Sequence, residues 1–480
     1  MTIDNLFCCI MSRLEKRKNV CCLCHAIFVN LIKNKGMEKN DGNIRDGFSS
    51  KFGVIAAAAG SAVGLGNFWR FPYVLGENGG AAFLLVYIFF VFCIGIPVLM
   101  SELLIGRKAQ KNAVRAFQVL APGKKWHLIG YIGVFCSFMI LSYYSVVAGW
   151  TLHYVFLSVS NGLNSLSANE LEVTFQALTA NPLLSVFWLI VFVALTALVV
   201  LGGIEKGIEK YSKVLMPLLV VIILLMCVRS LTLPGSLEGL KFLFKPDFSK
   251  LSPKVIIEAL GQACFSLSIG MAVMITYGSY VSRKQNLVST SFSVASADFL
   301  IATLAGVAIF PAVFAFGINP SQGPGLVFVT LPNIFNQMFG GYFFAILFFF
   351  LLVIAALTSS ISLLEVVVAY LSEELKMKRR KATIIASVGA SFFGILCAFS
   401  GTIFNFFDKT SANVLLPLGA LFVVLFIPIV LKRKGTRGEL EANGRKVWAF
   451  DLFYFIIRYL APIAIVLIFL QQFGLLNWIL

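Results

Sequence analysis

Two short stretches hold the residue types that could bind a small charged solute. The first reads Ala59-Gly60-Ser61-Ala62-Val63-Gly64-Leu65-Gly66-Asn67, and the second Phe265-Ser266-Leu267-Ser268-Ile269-Gly270. Both sit in the middle of apolar runs where a helix is expected. A mid-helix glycine weakens a helix by about 1 kcal/mol relative to alanine, so Gly60, Gly64 and Gly66 together predict an unwound segment. Close packing through small residues would account for one such stretch. Two of them, five apolar runs apart, point instead to a pair of interrupted helices. Unwound backbone exposes carbonyl oxygens, which suit a hard cation such as Na⁺. The amino ends of the half-helices present N–H groups and positive dipole, which suit a carboxylate. A free amino acid satisfies both demands. Ser266, Ser268, Thr358, Ser359 and Asn67 add neutral oxygen donors, each a weak signal alone because Ser and Thr often bond to their own helix.

These stretches must be positioned by membrane-spanning elements. Of 480 residues, 59% are hydrophobic and 13% charged, whereas a soluble domain carries about one quarter charged residues. Eleven runs are long enough to cross a bilayer: 53–72, 79–104, 128–157, 183–201, 212–231, 256–281, 289–316, 337–371, 382–400, 411–431 and 451–475. Lipid tolerates no unpaired backbone, so these are helices and the fold class is all-α. The net charge of +17 comes from basic residues in short loops, which marks topology and not nucleic-acid binding. Loop 105–127 carries six Lys or Arg and no acid; loop 158–182 carries Glu170 and Glu172 and no base. The first is therefore cytoplasmic and the second external, with the amino terminus inside and Leu480 outside. The lysine-bearing loop 232–255 falls outside as an exception, because long loops weigh less in this rule. The location is a plasma or inner membrane, and lipid is the expected surrounding partner.

Acids inside spans are expensive and hence informative. Asp298, early in span 7, is read as an ion ligand in preference to a buried structural partner. Glu102, late in span 2, is read as structural. The first 36 residues contain Cys21-Cys22-x-Cys24-His25, which lacks zinc-finger spacing and a second ligand pair. Residues 1–44 read as a cytoplasmic lead-in, with Met37 a plausible start, and residues 45–480 as one transporter domain. Only His25, His127 and His153 exist and no phosphate-binding loop is evident, so neither enzyme chemistry nor an organic cofactor is expected.

Gly60-Ser-Ala-Val-Gly-Leu-Gly-Asn-Phe-Trp-Arg-Phe-Pro72, followed by Glu77-Asn-Gly-Gly80, resembles the neurotransmitter:sodium symporter family. The resemblance extends through Tyr143-Tyr144, Gly207-Ile-Glu-Lys210, Gly261-Gln-Ala-Cys-Phe-Ser-Leu-Ser268, Gly323-Pro-Gly-Leu326 and Leu357-Thr-Ser-Ser360. Eleven spans resemble its bacterial branch, similar to the bacterial leucine transporter. The resemblance implies a five-plus-five inverted repeat, broken helices 1 and 6, an added span 11, and two sodium sites. The first would use Ala62, Asn67, Ser266 and Asp298; the second Gly60, Val63, Ala355, Thr358 and Ser359. Substrate would lie against Ala62, Gly64, Gly66, Ile140, Tyr144, Phe265, Ser266, Ser268, Met271, Ser359 and Leu363. Tyr144 would donate to the substrate carboxylate, and Phe265 would form the outer lid. Arg70 and Asp408 resemble the outer gate; Arg45, Tyr280 and Glu373 resemble the inner one, with Phe48 where the family usually has Trp.

Departures from the family pattern refine the expectation. Chloride-dependent members use Tyr, Gln and two Ser; Tyr87, Gln262 and Ser266 match, but the last position is Ala302. Asp298 replaces a frequent Asn and would supply the missing negative charge, so chloride is expected to be dispensable. Gly64 stands where monoamine members carry Asp, which favours a substrate keeping its own carboxylate. The apolar pocket favours a hydrophobic or aromatic amino acid such as leucine, tyrosine or tryptophan. The expected function is sodium-coupled import by alternating access; the alternative is a sodium-dependent amino-acid sensor that does not transport.

Overall fold

The computed structural model describes residues 47–317, 325–473 and 475. Arg45, Met37, the Cys-rich start and Gly323 lie outside the described residues. Among the described residues every regular element is helical. Nine helices are long and apolar enough to cross a membrane, and a tenth crossing is a bent pair. The remaining expected span, 256–281, is divided into pieces of 14 and 6 residues. Neither piece spans alone.

The bent pair comprises α1 (Lys51–Ala62) and α2 (Gly66–Glu77), which meet at 49°. The next elements are α3 (Ala81–Ala109), α4 (Ala113–Leu120), α5 (His127–Val159), α6 (Ala168–Ala180), α7 (Pro182–Leu201), α8 (Ile204–Leu231) and α9 (Ser236–Phe244). The divided span is α10 (Pro253–Ser266) and α11 (Val273–Gly278). Then come α12 (Leu287–Ala315), α13 (326–337), α14 (Gly341–Glu374), α15 (Arg379–Phe399), α16 (Gly401–Leu440) and α17 (Phe450–Gln472).

Burial separates these helices into a core and a rim. The most apolar windows of α5 and α14 are 78% and 72% buried, against 39% for α7, α8, α15 and α17. The long central helices α5 and α14 therefore hold the site, and the rim helices turn apolar faces such as Leu198, Val214, Phe392 and Ile463 outward. Wide turns at 66–70, 91–95, 326–330, 411–415 and 456–460 each precede a proline: Pro72, Pro97, Pro332, Pro417 and Pro462. Proline has no N–H, so the preceding turn widens while the helix continues. For this reason α16 starts ten residues earlier than the expected 411 and runs through its prolines. Ser400 caps it, its hydroxyl accepting from Ile403 N.

Candidate functional site: a cavity between two broken helices

α1 stops at Ala62 because Val63 leaves helical backbone at φ −77°, ψ 93°. α2 restarts where Asn67 N bonds to Gly64 O at 3.1 Å, while the Asn67 side-chain oxygen accepts from Gly64 N at 3.1 Å. The second break is sharper. Ser268, Gly270 and Ala272 have φ of 54°, 88° and 60°, and left-handed backbone at Ser and Ala costs of order 1–3 kcal/mol each. Neighbouring groups hold this strained turn. Glu102 is fully buried and accepts from Gly270 N at 2.7 Å. Ser137 donates to Met271 O at 2.5 Å. A Cβ at Gly270 would lie 2.1 Å from Leu416 O on α16, so only glycine fits that crossing. Glu102 thus pairs with a backbone N–H that the break leaves open, which is a structural role.

The two breaks share one acceptor. Ser61 O, freed where α1 ends, accepts from Ser268 at 3.0 Å and from Ser359 on α14 at 3.1 Å. Thr358, one residue before, lies against Gly60, where an added Cβ would approach its Cβ to 3.2 Å. Thr358 bonds back to Ile354 O and Ala355 O, both at 3.1 Å. Gly60, Ala355, Thr358 and Ser359 are therefore brought together at one seam between α1 and α14, and Val63 closes the end of α1.

Asp298 on α12 is fully buried beside the other side of the same break. Its carboxylate accepts from Asn67 Nδ2 at 2.7 Å, from Ser266 Oγ at 2.7 Å and from Tyr87 Oη at 3.3 Å. Among the described residues no Lys, Arg or His nitrogen lies within 4.0 Å of it. A buried carboxylate with only neutral partners is costly, and a small cation beside it would offset that cost. Gln262, by contrast, is buried with neither side-chain polar atom paired, and Ala302 offers no hydroxyl.

A cavity of about 70 Å³ lies between the breaks. All eleven expected substrate residues line it, joined by Ser61, Tyr143 and Ser362, which sequence reasoning missed. The Tyr144 hydroxyl accepts from Leu65 N at 3.2 Å, which leaves its own proton free to donate into the cavity. A Cβ at Gly64 would lie 2.5 Å from Ser359 Oγ and 3.2 Å from Tyr144 Oη, so a side chain there would displace both hydroxyls. The lining toward Ile140, Met271 and Leu363 is apolar, with no charged residue in the wall. Phe265 lines both this cavity and a second one of about 280 Å³ that contains Arg70, Glu77 and Glu258. Its ring is thus the partition between them.

The expected outer gate differs from an ion pair. Arg70 stacks its guanidinium 4.4 Å over the Phe265 ring, its Nε is buried without a hydrogen-bond partner, and no salt bridge joins it to Asp408. Asp408 instead faces the Tyr143 hydroxyl. On the opposite side, Tyr280 donates to Glu365 at 2.7 Å, and Arg379 closes on both Glu365 oxygens at 2.5 and 3.1 Å. Glu373 accepts from the Asn112 backbone and side chain at 2.9 and 3.1 Å. Phe48 packs edge-on to Tyr277 and Tyr280 at 5.7 and 6.2 Å. Glu209 accepts from Ser49 N, both Ser49 and Ser50 hydroxyls, and Lys213, all between 2.6 and 2.8 Å. Glu365 and Glu209 were not among the expected site residues. Glu365 had a legible signal, an acid inside an apolar span.

Comparison with known proteins agrees with this geometry. The model of the sodium:neurotransmitter symporter family matches residues 45–181 and 173–477. An uncharacterised sodium-dependent transporter, YhdH, of Bacillus subtilis (strain 168) is 41% identical over 90% of this chain and 98% of its own length. The sodium-dependent neutral amino acid transporter B(0)AT2 of Mus musculus is 30% identical over 61% of this chain and 44% of its own. The crystal structure of MhsT in complex with L-phenylalanine superposes with a TM-score of 0.83 at 46% identity, covering 89% of this chain and all of that one. A matched family model, sodium-dependent relatives and the paired broken helices agree: the chain belongs to the sodium:neurotransmitter symporter family and is a multi-pass, sodium-dependent symporter.

Proposed function

We propose that this protein imports a hydrophobic or aromatic amino acid together with Na⁺, by alternating access and without chloride. The observation that carries the reading is Gly64 pressed against Ser359 and Tyr144, in a cavity whose far wall is apolar. With glycine at position 64, no carboxylate stands there to meet a free amine. The cargo must bring its own carboxylate to Tyr144 and the first ion, and its ammonium to the carbonyls of the breaks. That a close structural neighbour was crystallised with L-phenylalanine supports the same class.

Two ions fit the donor sets. Asp298, Asn67, Ser266 and the Ala62 carbonyl suit the first, with the Asn67 amide turning its oxygen toward the cation. The carbonyls of Gly60, Val63 and Ala355 with the hydroxyls of Thr358 and Ser359 suit the second. Asp298 already engages Tyr87 and Ser266, two of the groups that would hold chloride, and supplies the charge an anion would bring. Binding orders the breaks, Phe265 and Arg70 seal the outer side, and the Tyr280–Glu365 side then opens. Each Na⁺ crossing a 100 mV potential supplies about 2.3 kcal/mol. In this reading the amino terminus is cytoplasmic and the carboxyl end external.

Uptake of labelled leucine into proteoliposomes, driven by an inward Na⁺ gradient and challenged with each amino acid, tests the reading. Phenylalanine, tyrosine and tryptophan should compete, whereas lysine, glutamate and tyramine should not. Competition by tyramine equal to that by tyrosine would overturn the carboxylate argument. Counterflow of label in the same vesicles would exclude a sensor that binds without moving cargo.

A further inference from the structure

Span α17 carries a charge that the transport cycle does not use. Arg458 lies nine residues into the helix and is exposed among lipid-facing Phe455, Tyr459 and Ile463. Its guanidinium sits 5.2 Å over the Tyr459 ring, and among the described residues no carboxylate lies within 4.0 Å of it. A lipid-facing arginine is costly unless its head reaches polar ground. At 1.5 Å per residue, Arg458 Cα lies about 12 Å along the helix from Phe450. Side chains lean toward a helix's amino end, so Arg458 leans back toward Phe450 and the membrane surface.

That surface is strongly basic. Lys432, Lys434, Arg445 and Lys446 are exposed there, and among the described residues no carboxylate lies within 4.0 Å of them. Trp448 is 99% exposed between them and α17, and an indole so placed is at home among headgroups. The segment is not a loose tail. Arg433 pairs with Asp451, Arg437 covers the Phe450 ring at 5.2 Å, and Glu439 is held by fully buried Arg107 at 2.9 Å. The apolar belt of the span therefore runs directly into a braced cationic rim.

We propose that Arg458, Arg445, Lys446 and Trp448 form a binding site for the anionic headgroup of a bilayer phospholipid, on the side that the loop charges assign to the cytoplasm. The guanidinium of Arg458 reaches the phosphate from below, the loop cations meet it from above, and Trp448 anchors at headgroup depth. The site is independent of the substrate reading, because none of these residues lines the cavity between the breaks.

Native mass spectrometry of the purified full chain, released from nanodiscs of mixed phosphatidylglycerol and phosphatidylcholine, tests the proposal. The wild type should retain phosphatidylglycerol in preference to phosphatidylcholine. Arg458→Gln should weaken that retention about fivefold, and the pair Arg445→Gln and Lys446→Gln should weaken it further, at roughly fivefold per charge removed. The loop pair serves where the span variant fails to fold. Equal retention of the two lipids by the wild type, or unchanged retention in the variants, would overturn it. Displacement of the lipid by inorganic phosphate would also do so, since the site would then read a soluble anion.

Discussion

The two sides of this transporter are closed by different means. On the side proposed as outer, Arg70 covers the Phe265 ring and forms no ion pair with Asp408, which faces the Tyr143 hydroxyl, and a cavity of about 280 Å³ lies above the partition. On the side proposed as inner, Glu365 is bonded to Tyr280 and Arg379, Glu373 to Asn112, and Glu209 to the start of α1. One seal is a ring and a stacked cation; the other is three carboxylates fully engaged with donors. A seal of the first kind opens at smaller cost, since a half-buried cation–π contact contributes about 0.5–2 kcal/mol. Breaking a buried pair by removing one partner costs about 3–5 kcal/mol. The difference predicts that opening past Phe265 costs less than opening past Glu365.

The largest expected effect comes from Glu365→Ala. It removes the buried carboxylate that Arg379 and the Tyr280 hydroxyl share, so the fold should lose about 3 kcal/mol and that side should open. A cysteine placed at Ser362, probed with a membrane-impermeant thiol reagent from the inner side, should label at least tenfold faster. Unchanged labelling would remove the contrast between the two seals. Next in size is Glu209→Ala, which frees Ser49 and Ser50 from α8. The cost should be about 1–2 kcal/mol, and backbone hydrogen exchange at residues 51–56 should accelerate about tenfold. Arg70→Ala should matter less. It removes a stacked cation and no ion pair, so bound substrate should dissociate about two- to fivefold faster, with stability unchanged within about 2 kcal/mol. Equal effects of Arg70→Ala and Asp408→Asn in a non-additive double mutant would show that the outer pair forms after all.

The smallest effect concerns the short helix α6. Its capping box joins Ser167 to Glu170, and the bonds from the Ser167 backbone and hydroxyl hold the Glu170 carboxyl below its ordinary 4.5. A carboxyl whose folded value is depressed contributes stability above its unfolded value, and that contribution is lost as pH falls through the folded value. Hydrogen exchange at residues 168–172 should therefore rise below about pH 4.5. Glu170→Gln should remove this pH dependence while the inner side stays unaffected.

The breaks were legible because they come as a pair: close packing through small residues would account for one such stretch but not for two five spans apart. Asp298 was legible because an acid there is expensive. Glu365 is equally expensive, yet its partner Arg379 sits in a basic run that reads as topology alone. The helices at 168–180 and 236–244 were read as loops, although Ser167-x-x-Glu170 is a capping-box signature. Arg70 and Asp408 were read as partners from resemblance; sequence carries no information on which state of a cycle a chain adopts. Glu209 lies within a matched motif, but what it grips, Ser49 and Ser50, is 160 residues away in sequence and only the fold brings them together.

The central claim is that Asp298 makes the cavity a sodium-coupled site. The most direct measurement is equilibrium binding of labelled leucine to purified protein, titrated with Na⁺ in chloride-free gluconate, for the wild type and Asp298→Ala. The account predicts saturable, sodium-dependent binding by the wild type without chloride, and a loss of at least tenfold in apparent sodium affinity for the variant. Binding that requires chloride, or a variant with unchanged sodium dependence, would contradict it.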